Sequence, residues 1–348
     1  MNAIEVTELT RVFRVRRKEK GMRGSLRAIL HPRMEEIRAV DRISFHVKEG
    51  EMLAFIGPNG AGKSTTIKML TGILYPDGGS AQVLGLDPIR KRKQLAYEIG
   101  TVFGQKEQLW THLTPYDNFQ FFGAIYDLAA RETDARIEEL AGTFDLGAFL
   151  HTPVRNLSLG QRIRCEIVAS LIHRPRVLFL DEPTIGLDPV VKESIRALIK
   201  QMNKELGTTI FLTSHDVGDI EKLCRRIIIV NSGRIVLDQS MEHLKYHYLN
   251  KKIVEAKLQE EPMLRAREGI TVLKQKGGHV KFEVDTEKMR ISEALRLIGG
   301  ENVEDINISN IPLENIITEI YKAEESANGA VPETWEMPSG TPENEKLW

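Results

Sequence analysis

The chain has 348 residues, more than one hydrophobic core usually holds, so we expect one large domain and a smaller one. Its composition is ordinary for a globular protein, and 48 basic against 49 acidic residues give a net charge of -1 that indicates no class of partner. The apolar stretches are far shorter than the ~20 residues of a spanning helix, and the N-terminus lacks the apolar core of a signal peptide.

Alternating and continuous apolar patterns predict strands and helices that alternate along the first two thirds of the chain. The predicted strands are 4–15, 39–47, 53–56, 177–180, 209–213 and a hairpin of 226–230 with 234–237. The predicted helices are 63–71, 158–173, 189–206 and 216–224, with 113–150 mostly helical. This alternation indicates a mainly parallel sheet covered on both faces.

Residues 14–38 interrupt the first pair of strands with nine Arg or Lys against three Glu. A solvated, mobile loop is the slightly favoured interpretation of this basic insertion. The alternative is a contact with anionic lipid headgroups or a membrane partner, which the amphipathic segment SLRAILH supports.

The pattern changes after Ser240. Strands at 253–258, 271–274, 279–284 and 303–308, with helices at 290–298 and 313–323, predict a small α+β domain. The segment 326–348 is rich in Pro, Glu, Gly and Asn and is predicted to be disordered. Cys165 and Cys224 are far apart and in no metal-binding spacing, so we expect reduced core thiols in a cytosolic protein.

The segment GPNGAGKST fits the phosphate-loop pattern G-x-x-x-x-G-K-[ST] between a predicted strand and a helix. Glycines let backbone N–H groups and the helix N-terminus point at phosphate oxygens, Lys63 can reach the terminal phosphates, and Ser64 can ligate Mg²⁺. A turn that binds nothing would not need Lys and Ser in this register. The predicted nucleotide contacts here are Gly57, Pro58, Asn59, Gly60, Ala61, Gly62, Lys63, Ser64 and Thr65.

Polar residues follow two other apolar strands at the sheet edge where α/β proteins bind ligands. Asp181 can hold Mg²⁺ through water, and Glu182 can accept a proton from an attacking water. A solvated pair of acids is the alternative, and a buried strand directly before them argues against it. His215, after TIFLTS, is either a structural histidine or a γ-phosphate contact; its position favours the contact.

Together these segments resemble the ATPase subunit of an ATP-binding cassette (ABC) transporter, over about residues 1–239. GPNGAGKST resembles the Walker A loop, VLFLDEP resembles Walker B, and LSLGQ resembles the family signature LSGGQ. Gln105 is similar to the Q-loop glutamine, GLDP at 186–189 to the D-loop, and His215 to the H-loop. Six motifs in the family's order are far more specific than any one of them.

The resemblance implies that the signature completes the ATP site of a second subunit in a head-to-tail dimer. The residues that would act in trans are Ser158, Leu159, Gly160, Gln161 and Asp188. Ser158 offers a hydroxyl, Gly160 a close backbone approach, and the helix a positive end. A serine helix cap would explain Ser158 but not the Gly and Gln that follow. Leu159 replaces a family glycine, so its side chain must point away from the phosphate.

Two further positions depart from the family pattern. Gln105, implied as a catalytic residue and Mg²⁺ ligand, comes one residue later than the commonest spacing, where Gly104 stands; Gln108 is a weaker candidate. Phe13 matches the aromatic ring that lies under adenine, where Tyr is more usual. Stacking needs only a ring face, although Phe13 could instead be a core residue.

The implied fold is α/β: a P-loop NTPase cassette of residues 1–240 followed by an α+β accessory or regulatory domain of residues 245–325. The cassette would contain a mainly parallel central sheet, an antiparallel β-subdomain and a helical subdomain at about 106–174. Its implied cofactors are ATP and Mg²⁺.

The implied function is ATP hydrolysis coupled to export by a permease on a separate chain, at the cytoplasmic face of the membrane. The features resemble ABC-2 type exporters, in particular a viologen or multidrug exporter-like subgroup. The second cassette would be an identical or homologous subunit, and no nucleic-acid partner is expected. The alternative is a non-transport ABC ATPase of translation or DNA repair, although those usually carry two cassettes or long insertions.

Overall fold

The structure is a computed structural model that describes residues 1–16, 34–104, 107–214, 216–247, 250–259, 264–298 and 303–328. Its strands are β1 (Asn2–Arg16), β2 (Met34–Lys48), β3 (Met52–Ile56), β4 (Gly78–Val83), β5 (Ile99–Phe103), β6 (Val177–Asp181), β7 (Thr209–Thr213), β8 (Arg226–Asn231), β9 (Arg234–Ser240), β10 (Lys251–Leu258), β11 (Ile270–Lys276), β12 (His279–Asp285) and β13 (Val303–Asn310). Its α-helices are α1 (Lys63–Leu70), α2 (Arg92–Ala96), α3 (Pro115–Ile125), α4 (Ala130–Thr143), α5 (Leu159–Ala169), α6 (Pro189–Leu206), α7 (Val217–Leu223), α8 (Met241–His247), α9 (Ile291–Leu297) and α10 (Leu313–Asn328).

The central sheet has six strands in the order β5–β6–β7–β3–β8–β9, and only the β8–β9 pair is antiparallel. The inner strands are nearly all apolar and buried, as parallel strands covered on both faces must be. Phe211 packs against Phe55 and Phe179, with ring centroids 5.1 and 5.6 Å away. The predicted mainly parallel sheet is confirmed, and the carboxyl ends of β3, β6 and β7 lie side by side.

A second, antiparallel sheet has the order β2–β1–β4. The β1–β2 ladder continues to Arg16 opposite Met34, with Arg14 paired to Glu36 at 3.1 Å. Strand β1 reaches Arg16, one residue beyond the predicted end, and residues 34–38, expected to belong to a loop, are strand, because opposite charges and apolar side chains face each other across the ladder. The rest of the basic insertion, residues 17–33, lies outside the described residues.

Four elements are absent from the sequence-based predictions: β4, α2, β5 and α8. The sequence of β4, GGSAQV, favours turns, and it is a strand because β1 supplies its hydrogen-bonding partners. The bounds of α6 and β7 match the prediction, whereas α5 ends at Ala169, four residues before the predicted end.

The C-terminal module is a four-stranded antiparallel sheet of order β11–β12–β10–β13. Its core includes Val254, Phe282 and Ala294, so α9 covers one face. Helix α10 returns to the cassette, where Ile316 and Ile317 join the main core. This helix continues to Asn328, three residues into the tail that was predicted to be disordered; residues 329–348 lie outside the described residues. Both cysteines are buried and free, as predicted.

Candidate nucleotide-binding site

The phosphate loop connects β3 to α1, and glycines fix its path. Gly60 and Gly62 have positive φ angles of 81° and 102°, where a side chain would be strained. A Cβ on Gly57 would lie 2.3 Å from the carbonyl oxygen of Val230, and one on Gly62 would lie 2.2 Å from that of Ala39. The loop therefore packs so closely against β8 and β2 that only glycine fits at these two positions.

Lys63, the first residue of α1, is 5% exposed and folds back into the loop. Its Nζ donates to the carbonyl oxygens of Gly57 at 2.7 Å and Pro58 at 3.1 Å. Burial lowers the pKa of Lys63, while the charges of Glu182 and Asp181 act in the opposite direction. The cation is thus held among backbone groups of the predicted phosphate site. Of the other predicted contacts, Asn59 and Gly60 are exposed at the tip, Ala61 is buried, and Thr65 is half-buried.

A cavity of about 240 Å³ opens beside this loop. It is lined by Ser64, Lys68, Ile73, Phe103, Gly104, Asp181 and Glu182. The structure therefore brings together the hydroxyl and the two acids that were expected to meet at the sheet edge. A hydroxyl and a single aspartate suit Mg²⁺, which keeps several waters and needs few protein ligands. The described residues contain no cluster of three or more His, Cys, Asp or Glu that could hold another metal.

Backbone and side-chain contacts position both acids. Asp181 accepts a hydrogen bond from Thr213 Oγ1 at 2.5 Å, because β6 and β7 pair these two residues in register. Glu182 donates its N–H to the carbonyl oxygen of Thr213 at 3.0 Å and has a φ of 56°. A non-glycine residue in this conformation is strained, and such strain concentrates at functional sites.

Gln105 and His215 both lie outside the described residues, so their predicted roles stay predictions. The residue before Gln105 is nevertheless well defined: Gly104 donates its N–H to the carbonyl oxygen of Asp181 at 2.9 Å. A Cβ on Gly104 would lie 2.3 Å from the carbonyl oxygen of Glu182, so no side chain fits there. Gln108, the weaker candidate, donates a hydrogen bond from its side-chain amide to the carbonyl oxygen of Thr101 at 3.0 Å. This amide N–H is therefore already hydrogen-bonded within the chain.

Phe13, the predicted adenine platform, is half-buried on β1. The guanidinium of Arg11 lies 4.9 Å from the centre of its ring, and Arg11 is itself held by Asp77 at 3.2 Å and by the carbonyl oxygen of Tyr75 at 3.0 Å. Such a cation over a ring face is attractive. The ring is neither a fully buried core residue nor freely exposed.

The signature segment forms the start of α5. Ser158 accepts from the N–H of Gln161 at 3.3 Å, and the Gln161 side chain accepts from the N–H of Ser158 at 2.9 Å. A Cβ on Gly160 would lie 2.4 Å from Cγ1 of Val191 on α6. The expectation that a helix cap leaves Gly160 and Gln161 unexplained is therefore wrong: a reciprocal capping box uses Gln161, and helix packing requires Gly160.

Leu159 and Asp188 are exposed at the starts of two neighbouring helices, Leu159 as the first residue of α5 and Asp188 as the N-cap of α6. The Leu159 side chain is 46% exposed, and its Cδ2 lies 3.7 Å from the position of a Cβ on Gly186. Asp188 caps α6 by accepting from the N–H groups of Val190 and Val191, each at 3.0 Å. These two of the residues predicted to act in trans thus lie at the N-terminal ends of α5 and α6, where the signature and the D-loop are.

Sequence reasoning missed Gly104 and Thr213, which fix the two acids. Thr213 could have been suspected because it is the last residue of a buried strand beside the predicted carboxylates. Nothing in the sequence distinguishes Gly104 from an ordinary turn glycine.

The chain is similar to a known protein family and to several curated proteins. The family model described as "ABC transporter" matches residues 40–185. The chain is 33% identical over 208 residues to the ABC transporter ATP-binding protein NatA of Bacillus subtilis, covering 60% of this chain and 84% of that protein. It is 33% identical over 318 residues to the daunorubicin resistance ATP-binding protein DrrA2 of Streptomyces coeruleorubidus, covering 86% and 97%.

Among solved structures, cbiO1 from Clostridium perfringens, part of the ABC transporter complex cbiONQ, superposes with a TM-score of 0.58. It is 28% identical, and the match covers 70% of this chain and 90% of that chain. The predicted cassette fold is confirmed.

Proposed function

The chain belongs to the ABC transporter ATPase family, and we propose that its ATP hydrolysis drives export of a substrate through a permease carried on a separate chain. It is an ATP-binding, ATP-hydrolysing transporter subunit. The observation that carries the proposed site is the single cavity that joins Ser64 of the phosphate loop to Asp181 and Glu182. Export is supported by the match to the resistance protein DrrA2, which extends over 97% of its length.

The residues of the cavity suit hydrolysis of the terminal phosphate. Glu182 accepts a proton from water as the water oxygen bonds to the γ-phosphorus, and the bond from that phosphorus to the β–γ bridging oxygen breaks, giving ADP and phosphate. Lys63 and the loop N–H groups bind the phosphates. Ser64 and Asp181 would hold Mg²⁺, with Gln105 as a further ligand; the ion supplies positive charge that neutralises the phosphate oxygens. Gln105 and His215 contribute at the γ-phosphate in this proposal.

A second cassette completes each site in this proposal, as an identical or homologous subunit. Ser158, Leu159, Gly160, Gln161 and Asp188 would contact the nucleotide bound to the opposite subunit. Exposed apolar residues in adjoining segments support an interface here: Leu159, Ile185 and Val190 are 46%, 37% and 80% exposed. Phe13 would stack on adenine within its own subunit.

An exposed apolar surface supports the permease partner. Trp110 is 50% exposed, Phe121 of α3 is 39% exposed, and their ring centroids lie 3.9 Å apart. Ile125, one helical turn on, is 49% exposed. We name Trp110, Phe121 and Ile125 the aromatic surface. Such a patch just after the Gln105 segment suits a permease contact that senses the nucleotide site.

The structure describes no helix that is both long and apolar enough to span a bilayer. In this proposal the chain is peripheral, at the cytoplasmic face of the membrane, because the aromatic surface meets the permease there.

Purification of the full chain from native membranes, followed by mass spectrometry, tests the proposal. We expect a polytopic membrane protein to copurify, and Trp110→Ala to lose it while keeping ATP hydrolysis. Tyr246→Ala, which removes an exposed aromatic side chain from α8, is the matched control and should keep the partner. Copurification of ribosomal proteins or DNA instead would contradict the transport function and favour a soluble machine.

A further inference from the structure

A fully buried carboxylate connects the two loops that follow β6 and β7. Asp219 of α7 is 0% exposed. Its Oδ2 accepts hydrogen bonds from Thr184 Oγ1 and from Ser214 Oγ, the latter at 2.9 Å. Its Oδ1 accepts from Nε of Arg196 at 2.6 Å. Thr184 and Ser214 are themselves 2% and 3% exposed, so water does not compete for these bonds.

The two hydroxyl donors stand beside the proposed catalytic residues. Thr184 is two positions after Glu182 and four before Asp188. Ser214 directly precedes His215, and its other neighbour, Thr213, donates to Asp181. One oxygen atom of Asp219 is therefore the shared acceptor for both loops.

A buried charge needs compensation, and Arg196 of α6 supplies it. Burial opposes the charged form of Arg196, but the hydrogen bond and the charge of Asp219 outweigh it and raise the pKa of the guanidinium. Arg196 also reaches Asp216 and Glu193, each at 3.2 Å, and Lys192 binds Asp216 at 2.5 Å. Glu193 lies on the outer side of this network, where its carboxylate accepts from Arg196 and Lys222 and not from the two hydroxyls.

We propose that Asp219 is a positioning residue for ATP hydrolysis, which ties the loop between Glu182 and Asp188 to the loop that carries His215. Through the Thr184 and Ser214 hydroxyls, the loop from Glu182 to Asp188 is held against Ser214, whose neighbour Thr213 donates to Asp181. This inference rests on the proposed roles of Glu182, Asp188 and His215. It adds a group that touches neither nucleotide nor metal and that no sequence motif indicates.

A purely structural cluster would behave differently. Loss of a hydroxyl would then lower the stability of the chain but leave the turnover of the folded fraction unchanged. A positioning role predicts that kcat falls in the folded protein, because small displacements of catalytic groups slow the reaction strongly. The affinity for ATP should stay the same, because the phosphate loop is unchanged.

The experiment compares Thr184→Val, Ser214→Ala, the double variant, Thr184→Ser and Glu193→Gln in the full chain. We expect each hydroxyl deletion to lower kcat by about tenfold or more with KM for ATP changed by less than about twofold. The double variant should lose little more than either single one, because either deletion unlinks the loops. Thr184→Ser keeps the hydroxyl and should retain turnover, as should Glu193→Gln, which alters only the outer side of the network.

Thermal unfolding and titration of bound nucleotide measure the folded fraction of each variant, so that kcat can be expressed per folded molecule. Unchanged kcat per folded molecule in both single variants overturns the inference, and so does a double variant whose loss is the product of the two single losses. Absence of hydrolysis by the unmodified chain would overturn the proposed roles of these loops and this inference with them. Normal hydrolysis with unaffected variants overturns the inference alone.

Discussion

At the residue scale, Phe13 shows how a local contact modifies a predicted role. The ring keeps its place on β1, but the guanidinium of Arg11 lies 4.9 Å from its centre. An aromatic ring has two faces, so a cation on one face leaves the other for a planar base. The half-buried state of Phe13 is compatible with this arrangement.

Phe13→Ala should weaken ATP binding by roughly twofold to thirteenfold, because aromatic stacking contributes about 0.5–1.5 kcal/mol. Phe13→Tyr keeps a ring and should bind ATP as the unmodified chain does. Equilibrium binding of ATP to the full chain measures both. If Phe13 is a core residue instead, the alanine variant will lose stability and keep its ATP affinity.

At the element scale, the signature residues at the contact between α5 and α6 are needed for helix packing and for helix capping. The signature glycine gives α6 room, since a Cβ at Gly160 would lie 2.4 Å from Val191. The signature serine and glutamine also form the capping box of α5. A motif that resembles a nucleotide contact is therefore also a requirement of folding.

Gly160→Ala should lower the free energy of unfolding by about 1–3 kcal/mol, because the added methyl overpacks the contact with Val191. Adding Val191→Ala should relieve that clash and restore stability. Hydrolysis should stay reduced in the double variant if Gly160 also approaches a nucleotide in trans. Full recovery of both stability and hydrolysis would mean that Gly160 serves packing alone. Chemical denaturation and steady-state ATPase rates provide the two readouts.

The same elements show what sequence patterns can and cannot predict. The buried strands β6 and β7, the helix α6 and the phosphate loop are predicted well, because their apolar runs, caps and glycines are local properties. The hydrogen bond between Thr213 and Asp181 depends on the register of two strands. The hydrogen bond between Thr184 and Asp219 depends on how α7 packs against the loop after β6. Neither is a local property. Strand β4 likewise exists through pairing with β1 rather than through its own residues.

At the scale of the whole molecule, α10 attaches the C-terminal module to the cassette. Ile316 is 2% exposed in the main core, and Asn231 donates to Glu324 at 3.1 Å. Asn231 ends β8, and the turn after it is bonded to the phosphate loop through the N–H of Gly233 and the carbonyl oxygen of Ala61, at 3.2 Å. The module is thus continuous with the wall of the nucleotide site.

Ile316→Ala should lower the free energy of unfolding by about 2–5 kcal/mol, the usual cost of truncating a buried isoleucine. The cassette and the module should still unfold in one transition, since α10 shares the cassette core. Ile308→Ala, at a position 42% exposed on β13, is the matched control and should change stability by less than about 0.5 kcal/mol. Two separate transitions, with the cassette unaffected, would show that the module folds independently. Denaturation followed by tryptophan fluorescence and by circular dichroism measures both.

The most direct test measures two properties of the full chain: its rate of ATP hydrolysis and its ATP-dependent dimerisation. Both are compared between the unmodified chain and Glu182→Gln. We expect the variant to bind ATP normally, to lose turnover by about 10²-fold or more because it lacks the general base, and to accumulate as an ATP-bound dimer. Sedimentation with ATP and Mg²⁺ would detect that dimer, and its loss in Ser158→Ala combined with Glu182→Gln would support the contact in trans. Normal turnover by Glu182→Gln would contradict the assignment of the site.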